Sequence, residues 1–318
     1  MVIREVFSLC VLLILSDHAS SHGSSTKSSS ASSAQKLDIV ALLSNRIRGA
    51  EDNKITQISA EQVPKSLHHI IIGRDGMIYA SSFATNEVYR AAQDGRNGWQ
   101  WARVVGRGAG LDGPTGLHLD EDMRLYVASF GTDQILRFDG VTGAAVDVVI
   151  NDDEGRLDCP EGLLMLPGRL LVASFLNDRV VSYSPDGAFQ EIFAAGWHLR
   201  GPQVLLAQAG VDAVLVTSYH RNRVVTLDGT TGKKRPLEFG GPELSRPVGL
   251  AAAPGGELLC SSHRSNEILR YNASTGAFKG HFAAGHGLWA PTGIAMGPDL
   301  VLHVATFADG VRRYSFWR

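Results

Sequence analysis

Imidazole and carboxylate are the side chains in this sequence best suited to chemistry, and they are scattered. His68, His198, His220, His263 and His286 are separated by long stretches, and Glu161 stands between the first two. Several imidazoles with one carboxylate make a ligand set for Zn²⁺ or a similar ion. They equally make a general acid–base pair. No His-x-x-x-His pair or local cluster joins any of them along the chain. If they act together, a repeated architecture has to gather them.

Such a repeat is present. A run of small residues, an aromatic and then Asn or Asp recurs as ASSFATN, ASFGTD, ASFLND, TSYHRN, SSHRSN and ATFAD. The key positions are Phe83, Phe130, Phe175, Tyr219, His263 and Phe307, spaced 47, 45, 44, 44 and 44 residues apart. A regular period of this length marks a repeat architecture. Most units open on Pro-x-Gly or a relative of it (Pro114-Thr115-Gly116, Pro160-Glu161-Gly162, Pro202-Gln203-Val204, Pro247-Val248-Gly249, Pro291-Thr292-Gly293). Four short strand patterns separated by turn signals then follow. Four short antiparallel strands per repeat form one propeller blade. The expected fold is therefore all-β, a six-bladed β-propeller over residues 51–318. The last unit ends after its third strand. Lys54–Ser59 (KITQIS) alternates like a strand and is expected to supply the missing outer strand of blade six, closing the ring.

In such a blade the first strand lines the central channel. The loop leading into it and the turn joining strands two and three share one end of the ring. Two rings of side chains therefore converge on one face. The first is His68, Thr115, Glu161, Gln203, Val248 and Thr292, with His68 placed by alignment because unit one lacks Pro and Gly. The second is the aromatic set. Burying one such ring stabilises by about 1.5–3 kcal/mol, so exposing six would forfeit a large total. The aromatics are read as packing between blades, with His263 the departure from the pattern. The five widely spaced histidines map to this loop face. The candidate catalytic groups are Glu161, His263 and His286, and the candidate metal ligands are His68, Glu161 and Gln203, for Zn or Ca. Trp197, His198, Arg200, His220 and Trp289 are candidate ligand-binding groups at the rim. Interblade packing is the competing reading of the tryptophans. His118 and His303 fall within strands and read as satisfied core residues.

The stretches GPTGLHLDEDMRLYVASFGTDQILRFDGVTG, from Gly113, and PVGLAAAPGGELLCSSHRSNEILRYNASTG, from Pro247, resemble NHL-type repeats. The wider resemblance, over about residues 64–318, is to the six-bladed propellers that include gluconolactonase/regucalcin-like proteins, virginiamycin B lyases and peptidyl-amidoglycolate lyases. Gluconolactonase-like members imply a hard cation held by carboxylate, Asn and Asp at first-strand openings, where this chain offers Glu161 flanked by Thr115 and Gln203. Ca²⁺ takes six to eight oxygens, so that set is incomplete. The amidoglycolate lyases imply zinc-binding histidines at those openings, matched by His68. The virginiamycin B lyase pattern implies His and Glu on this face, where His286 lies near Trp289. The resemblance fixes an architecture and leaves activity open, because one fold hosts unrelated functions.

The rest of the chain sets the context. Arg4 precedes an apolar run from Val6 to Leu15, and Ala19, Ser20 and Ser21 follow, as in a secretory signal peptide over 1–21. The run is too short to span a bilayer, which needs about 20 apolar residues. Residues 22–50 read as a Ser-rich linker followed by a short amphipathic helix carrying Leu37, Val40, Leu43 and Ile47. A formal charge of −2 gives no bulk attraction to nucleic acid. Cys159 and Cys260 fall in non-adjacent repeats and read as buried apolar residues rather than a disulfide. Asn272-Ala273-Ser274 is a glycosylation sequon in a hairpin turn. Two functional readings follow. One is a secreted, monomeric binding propeller for a peptide, glycan or small molecule. The other is a metal-dependent, lactonase-like hydrolase or lyase with its site at the channel mouth.

Overall fold

A computed structural model describes residues 55–57, 64–93, 99–285 and 288–315. The expected signal peptide, linker and short helix lie outside these residues, as does His286. Among the described residues no helix is long and apolar enough to cross a membrane.

The chain forms a six-bladed β-propeller. Blades one to five are meanders of four consecutive antiparallel strands, and blade six contributes three. Ile55–Gln57 runs antiparallel along the outer edge of blade six, with Ile55 opposite Tyr314 and Gln57 opposite Arg312. The inner strands are Leu67–Ile72, Pro114–Leu119, Pro160–Leu166, Pro202–Ala207, Pro247–Ala253 and Pro291–Met296.

Radial position explains the sequence pattern. The second strands, such as Arg169–Ser174 and Glu257–Ser262, lie mid-blade with a neighbouring blade on each face. They are buried almost throughout, so they read as continuous apolar runs rather than alternating ones. Outer strands such as Ala145–Asn151 and Phe189–Ala195 expose their first four residues and bury the next two. The core is accordingly a series of seams between blades. Leu171, Phe193, Val216 and Leu227, for example, fill the seam between blades three and four. The recurring third-strand arginines are tied down locally: Arg137 to Asp147, and Arg270 to Glu257.

The Asn or Asp of the repeated phrase has two structural tasks. Asn86, Asp133, Asp178, Asn222 and Asn266 all have φ near 56–60°, in the left-handed region that Asn and Asp tolerate best. Each also reaches the next blade with its side-chain oxygen. Asn86 Oδ1 accepts from Gly113 N–H at 2.8 Å, Asp133 from Cys159 at 2.7 Å, and Asp178 from Gly201 at 2.8 Å. Asn222 accepts from Arg246 N–H and Asn266 from Ala290 N–H, both at 2.8 Å. Five of the six blade junctions thus carry the same bond.

Candidate functional site

The Pro-x-Gly signature is a β-bulge. In all six blades the inner strand gains one residue on its partner across this tripeptide: Leu67 to Ile70, Pro114 to Leu117, Pro160 to Leu163, Pro202 to Leu205, Pro247 to Leu250 and Pro291 to Ile294. Bulges re-aim a side chain, and here the x residue is set at the channel mouth. The glycine lets successive inner strands approach closely. A Cβ on Gly116 would lie 2.0 Å from the Glu161 carbonyl oxygen.

Each blade but one fastens its inner strand to the next through a single hydroxyl. In blades one, four and five that hydroxyl sits on the second strand. Ser81 Oγ donates to the Thr115 carbonyl at 2.6 Å, Thr217 Oγ1 to that of Val248 at 3.1 Å, and Ser261 Oγ to that of Thr292 at 2.7 Å. In blades two and six it moves to the x position. Thr115 Oγ1 donates to the Pro160 carbonyl at 2.8 Å and Thr292 Oγ1 to that of Leu67 at 2.9 Å. Blade three has neither, because Ala173 occupies the second-strand position and Glu161 the x position. The x side chains that take no part in this fastening are therefore His68, Glu161, Gln203 and Val248.

Three of these four are polar, and all are buried. His68 Nδ1 lies 3.6 Å from Glu161 Oε2. Burial pushes the Glu161 carboxyl well above its usual range, against a hydrogen bond with the Gln203 side chain that works the other way. Burial also holds the His68 imidazole down at about 3, reinforced by nearby His69 and His263. Desolvation disfavours both charged forms, so the His68 imidazole is neutral at neutral pH and Glu161 holds its proton more tightly than an exposed carboxyl does. Glu161 Oε1 and Gln203 Oε1 are buried without a hydrogen-bond partner. An acid and a base held side by side with spare acceptors can bind a polar ligand or move a proton.

His69 carries no weight in the sequence pattern, yet it occupies the bulge position where four other blades have glycine. Its Nδ1 accepts from Leu117 N–H at 3.2 Å, and burial lowers its pKa to about 4. The missing glycine of unit one was the signal for it.

The aromatic ring is a belt around the mouth. Phe83 packs edge-on to Phe130 at 5.5 Å between centroids. Phe130 lies 6.3 Å from Phe175, Phe175 5.9 Å from Tyr219, and Tyr219 6.4 Å from His263. These five side chains are buried and Phe307 is half-buried. His263 Nδ1 lies 3.2 Å from the Pro291 carbonyl oxygen. His68 stands 6.0 Å from Phe83, so the polar x residues and the belt are contiguous.

The rim residues divide. His220 is exposed, with its ring 5.4 Å from Phe175 and 5.2 Å from Tyr219. Arg200 and Trp289 are exposed on loops leading into inner strands. Trp197 is 70% exposed, beneath the Arg221 guanidinium at 4.1 Å. His198 lies close to Lys234, Arg221 and Glu238, which belong to the turn and outer strand of blade four. His118 lies 6.1 Å from Tyr126, and His303 is buried edge-on to Trp99. Cys159 and Cys260 are buried thiols.

As metal ligands, His68 and Glu161 supply one imidazole and one carboxylate, with the Gln203 amide oxygen as a weaker third donor. Catalytic zinc sites use three strong protein ligands, so the set fits such an ion incompletely. Among the described residues, the grouping of three His, Cys, Asp or Glu ligand atoms within 4.8 Å is Asp133, Asp158 and Cys159, in which Asp133 already serves as a blade-junction acceptor.

No family profile and no curated protein matches the chain. Solved structures do. A selenomethionine-substituted virginiamycin B lyase from Staphylococcus aureus is 15% identical, with 84% of this chain and 100% of that chain covered, at a TM-score of 0.63. A nidogen/laminin complex is 18% identical over 73% of this chain and 84% of that one, at 0.62. A putative oxidoreductase (glucose dehydrogenase) from Thermus thermophilus is 14% identical over 82% and 99%, also at 0.62. At these identities the likeness carries the fold and no activity. The chain is a six-bladed β-propeller similar in architecture to lyase and dehydrogenase-like propellers.

Proposed function

We propose that this chain is a secreted binding propeller whose loop face takes up a small molecule, peptide or glycan at the channel mouth. His68, Glu161 and Gln203 provide the polar contacts, the aromatic belt provides the apolar wall, and Arg200, His220 and Trp289 form the rim. Small-ligand sites are of this kind, largely apolar with a few convergent polar groups. The observation that carries the reading is the exception in blade three. Five blades spend a hydroxyl on fastening the ring. Blade three instead carries a buried carboxyl, Glu161, with a partnerless oxygen, a feature that costs about 1–3 kcal/mol and adds nothing to the junction. Secretion rests on Arg4, the Val6–Leu15 run and the small residues after it.

A second reading has its own support. The orphaned oxygens of Glu161 and Gln203 beside His68 also suit a lyase or hydrolase that uses Glu161 as acid and His68 as base, with or without a divalent ion. One experiment separates the two. Lactones, linear and cyclic peptides and oligosaccharides are screened by thermal shift and by product formation, on wild type and Glu161→Gln, with elemental analysis of the purified protein. Saturable binding without turnover, weakened in Glu161→Gln, is expected. Turnover abolished by Glu161→Gln would transfer the assignment to the enzyme reading. A panel that neither binds nor reacts would overturn both.

A further inference from the structure

The rim of the loop face is electrically divided. Blades two and three contribute Asp112, Asp133, Asp152, Asp153, Glu154, Asp158 and Asp178, offset by Arg107 and Arg156. Blades four and five contribute Arg200, Arg221, Arg246 and Arg264, offset by Glu243, while Glu238 on an outer strand lies 3.7 Å from Arg221.

The basic half is organised around Tyr219 of the aromatic belt. The Arg246 guanidinium lies over its ring at 5.4 Å, and the His220 ring stands edge-on at 5.2 Å. His220 N–H donates to the Arg200 carbonyl at 3.1 Å, and Arg264 N–H to that of Ser245 at 3.2 Å. Gly201, at φ 62°, makes room for this arrangement: a Cβ there would lie 2.7 Å from the His220 ring. Arg200 and Arg264 are exposed and, among the described residues, neither forms an ion pair. Several arginines elsewhere on the propeller are ion-paired, as Arg137 is with Asp147 and Arg270 with Glu257. Two exposed forks on the same face as the His220 ring, Arg200 in the loop leading into blade four and Arg264 in a turn of blade five, favour a planar or tetrahedral oxyanion.

We infer that the ligand of the loop face carries an oxyanion, carboxylate or phosphate, seated over blades four and five by Arg200, His220 and Arg264. This rests on the loop face being the binding face, and it narrows the ligand class: a neutral glycan leaves that half of the rim unused.

The test titrates citrate and, separately, inorganic phosphate into the full chain. The His220 ring resonances and the melting temperature are followed at low and high salt. Saturable shifts that weaken with salt are expected, because the groups are exposed. The Arg200→Ala/Arg264→Ala double variant should bind roughly tenfold or more weakly, since each charge-assisted bond contributes about a tenfold factor or more. Arg74→Ala, on the opposite face and paired with Glu121, should bind as wild type. A stronger citrate response assigns a carboxylate, and a stronger phosphate response a phosphate. No saturable response to either ion, or equal affinity in the double variant, overturns the inference. If a neutral ligand from the functional screen binds the double variant unchanged, the oxyanion falls while the loop face stands as the binding face.

Discussion

His68 and Glu161 meet at 3.6 Å although they belong to blades one and three, with blade two between them. The matching bulge in every blade turns the x side chains toward the same mouth, and His68 and Glu161 are long enough to bridge the gap that Thr115 leaves. Their electrostatics follow from burial, and so do their consequences for stability.

Glu161 holds its proton above the pH at which it ionises in the unfolded chain. Over that window the native state binds more protons, so stability falls as pH rises from the ordinary carboxylate value toward the raised one. His68 acts in the opposite sense. Its native pKa is about 3 against 6.5 when unfolded, so stability rises with pH between those values, and His69 and His303 add to the same limb. Above pH 6.5 the histidine contributions are exhausted while that of Glu161 remains. Glu161→Gln should raise the melting temperature at pH 7–8 by a few degrees, at about 2–4 °C per kcal/mol for a domain of this size. His68→Gln should flatten part of the acid limb. Melting curves from pH 3 to 9 check both, and a lower melting temperature for Glu161→Gln at pH 8 would contradict a carboxyl whose charged form is disfavoured by burial.

The pairing of Ile55–Gln57 with the outer edge of blade six makes the opening segment a candidate for ring closure. Deleting residues 51–60 would bare the edge of Gly310–Ser315, so a sharply lower melting temperature is expected. An unchanged melt would mean that the ring closes without it.

The Asn and Asp junctions can be taken apart in two steps. Asn222→Gly keeps the left-handed backbone and loses the bond to Arg246, costing about 1 kcal/mol. Asn222→Ala loses the bond and adds about 1–2 kcal/mol of backbone strain. Urea denaturation midpoints should fall in that order. Equal losses would assign the whole effect to the hydrogen bond.

Bulge glycines and turn glycines should behave differently. Gly116→Ala sets a methyl against the Glu161 carbonyl and must push blades two and three apart. Gly76→Ala meets nothing within 4 Å, and only its φ of 73° resists. The first should abolish binding at the loop face or prevent folding. The second should lower stability by about 1 kcal/mol and leave binding intact.

The architecture was legible in the sequence because each blade repeats one set of local demands. The small-residue run marks a strand buried on both faces, the aromatic marks the belt, and Asn or Asp marks a left-handed turn that also bonds forward. The reading of the aromatics as packing matches the buried belt of edge-on and tilted contacts. The candidate site was legible only by position: counting along the repeat placed His68, Glu161 and Gln203 in one ring. That Thr115 and Thr292 are fasteners, while Glu161 stands where a fastener is missing, depends on which carbonyl each hydroxyl reaches. No periodicity reveals that. His69 escaped notice because its effect lies in filling a space that glycine leaves open elsewhere. The surroundings of His198 depend on the short helical turn at Trp197–Leu199, which the aromatic and Asn/Asp periodicity does not mark.

The forward-reaching Asn or Asp bears on how such a ring can change over generations. A blade copied in frame brings an acceptor for the blade after it and a backbone N–H for the blade before it. A duplicated unit therefore arrives with both halves of its joint, and gene duplication meets its resistance at the closure of the circle rather than at the seams. In blades one, four and five, a hydroxyl on the second strand releases the x position from structural duty. Those released positions, with the unfastened one of blade three, are where a duplicated scaffold can drift without loosening. Three of the four hold the polar groups gathered at the mouth.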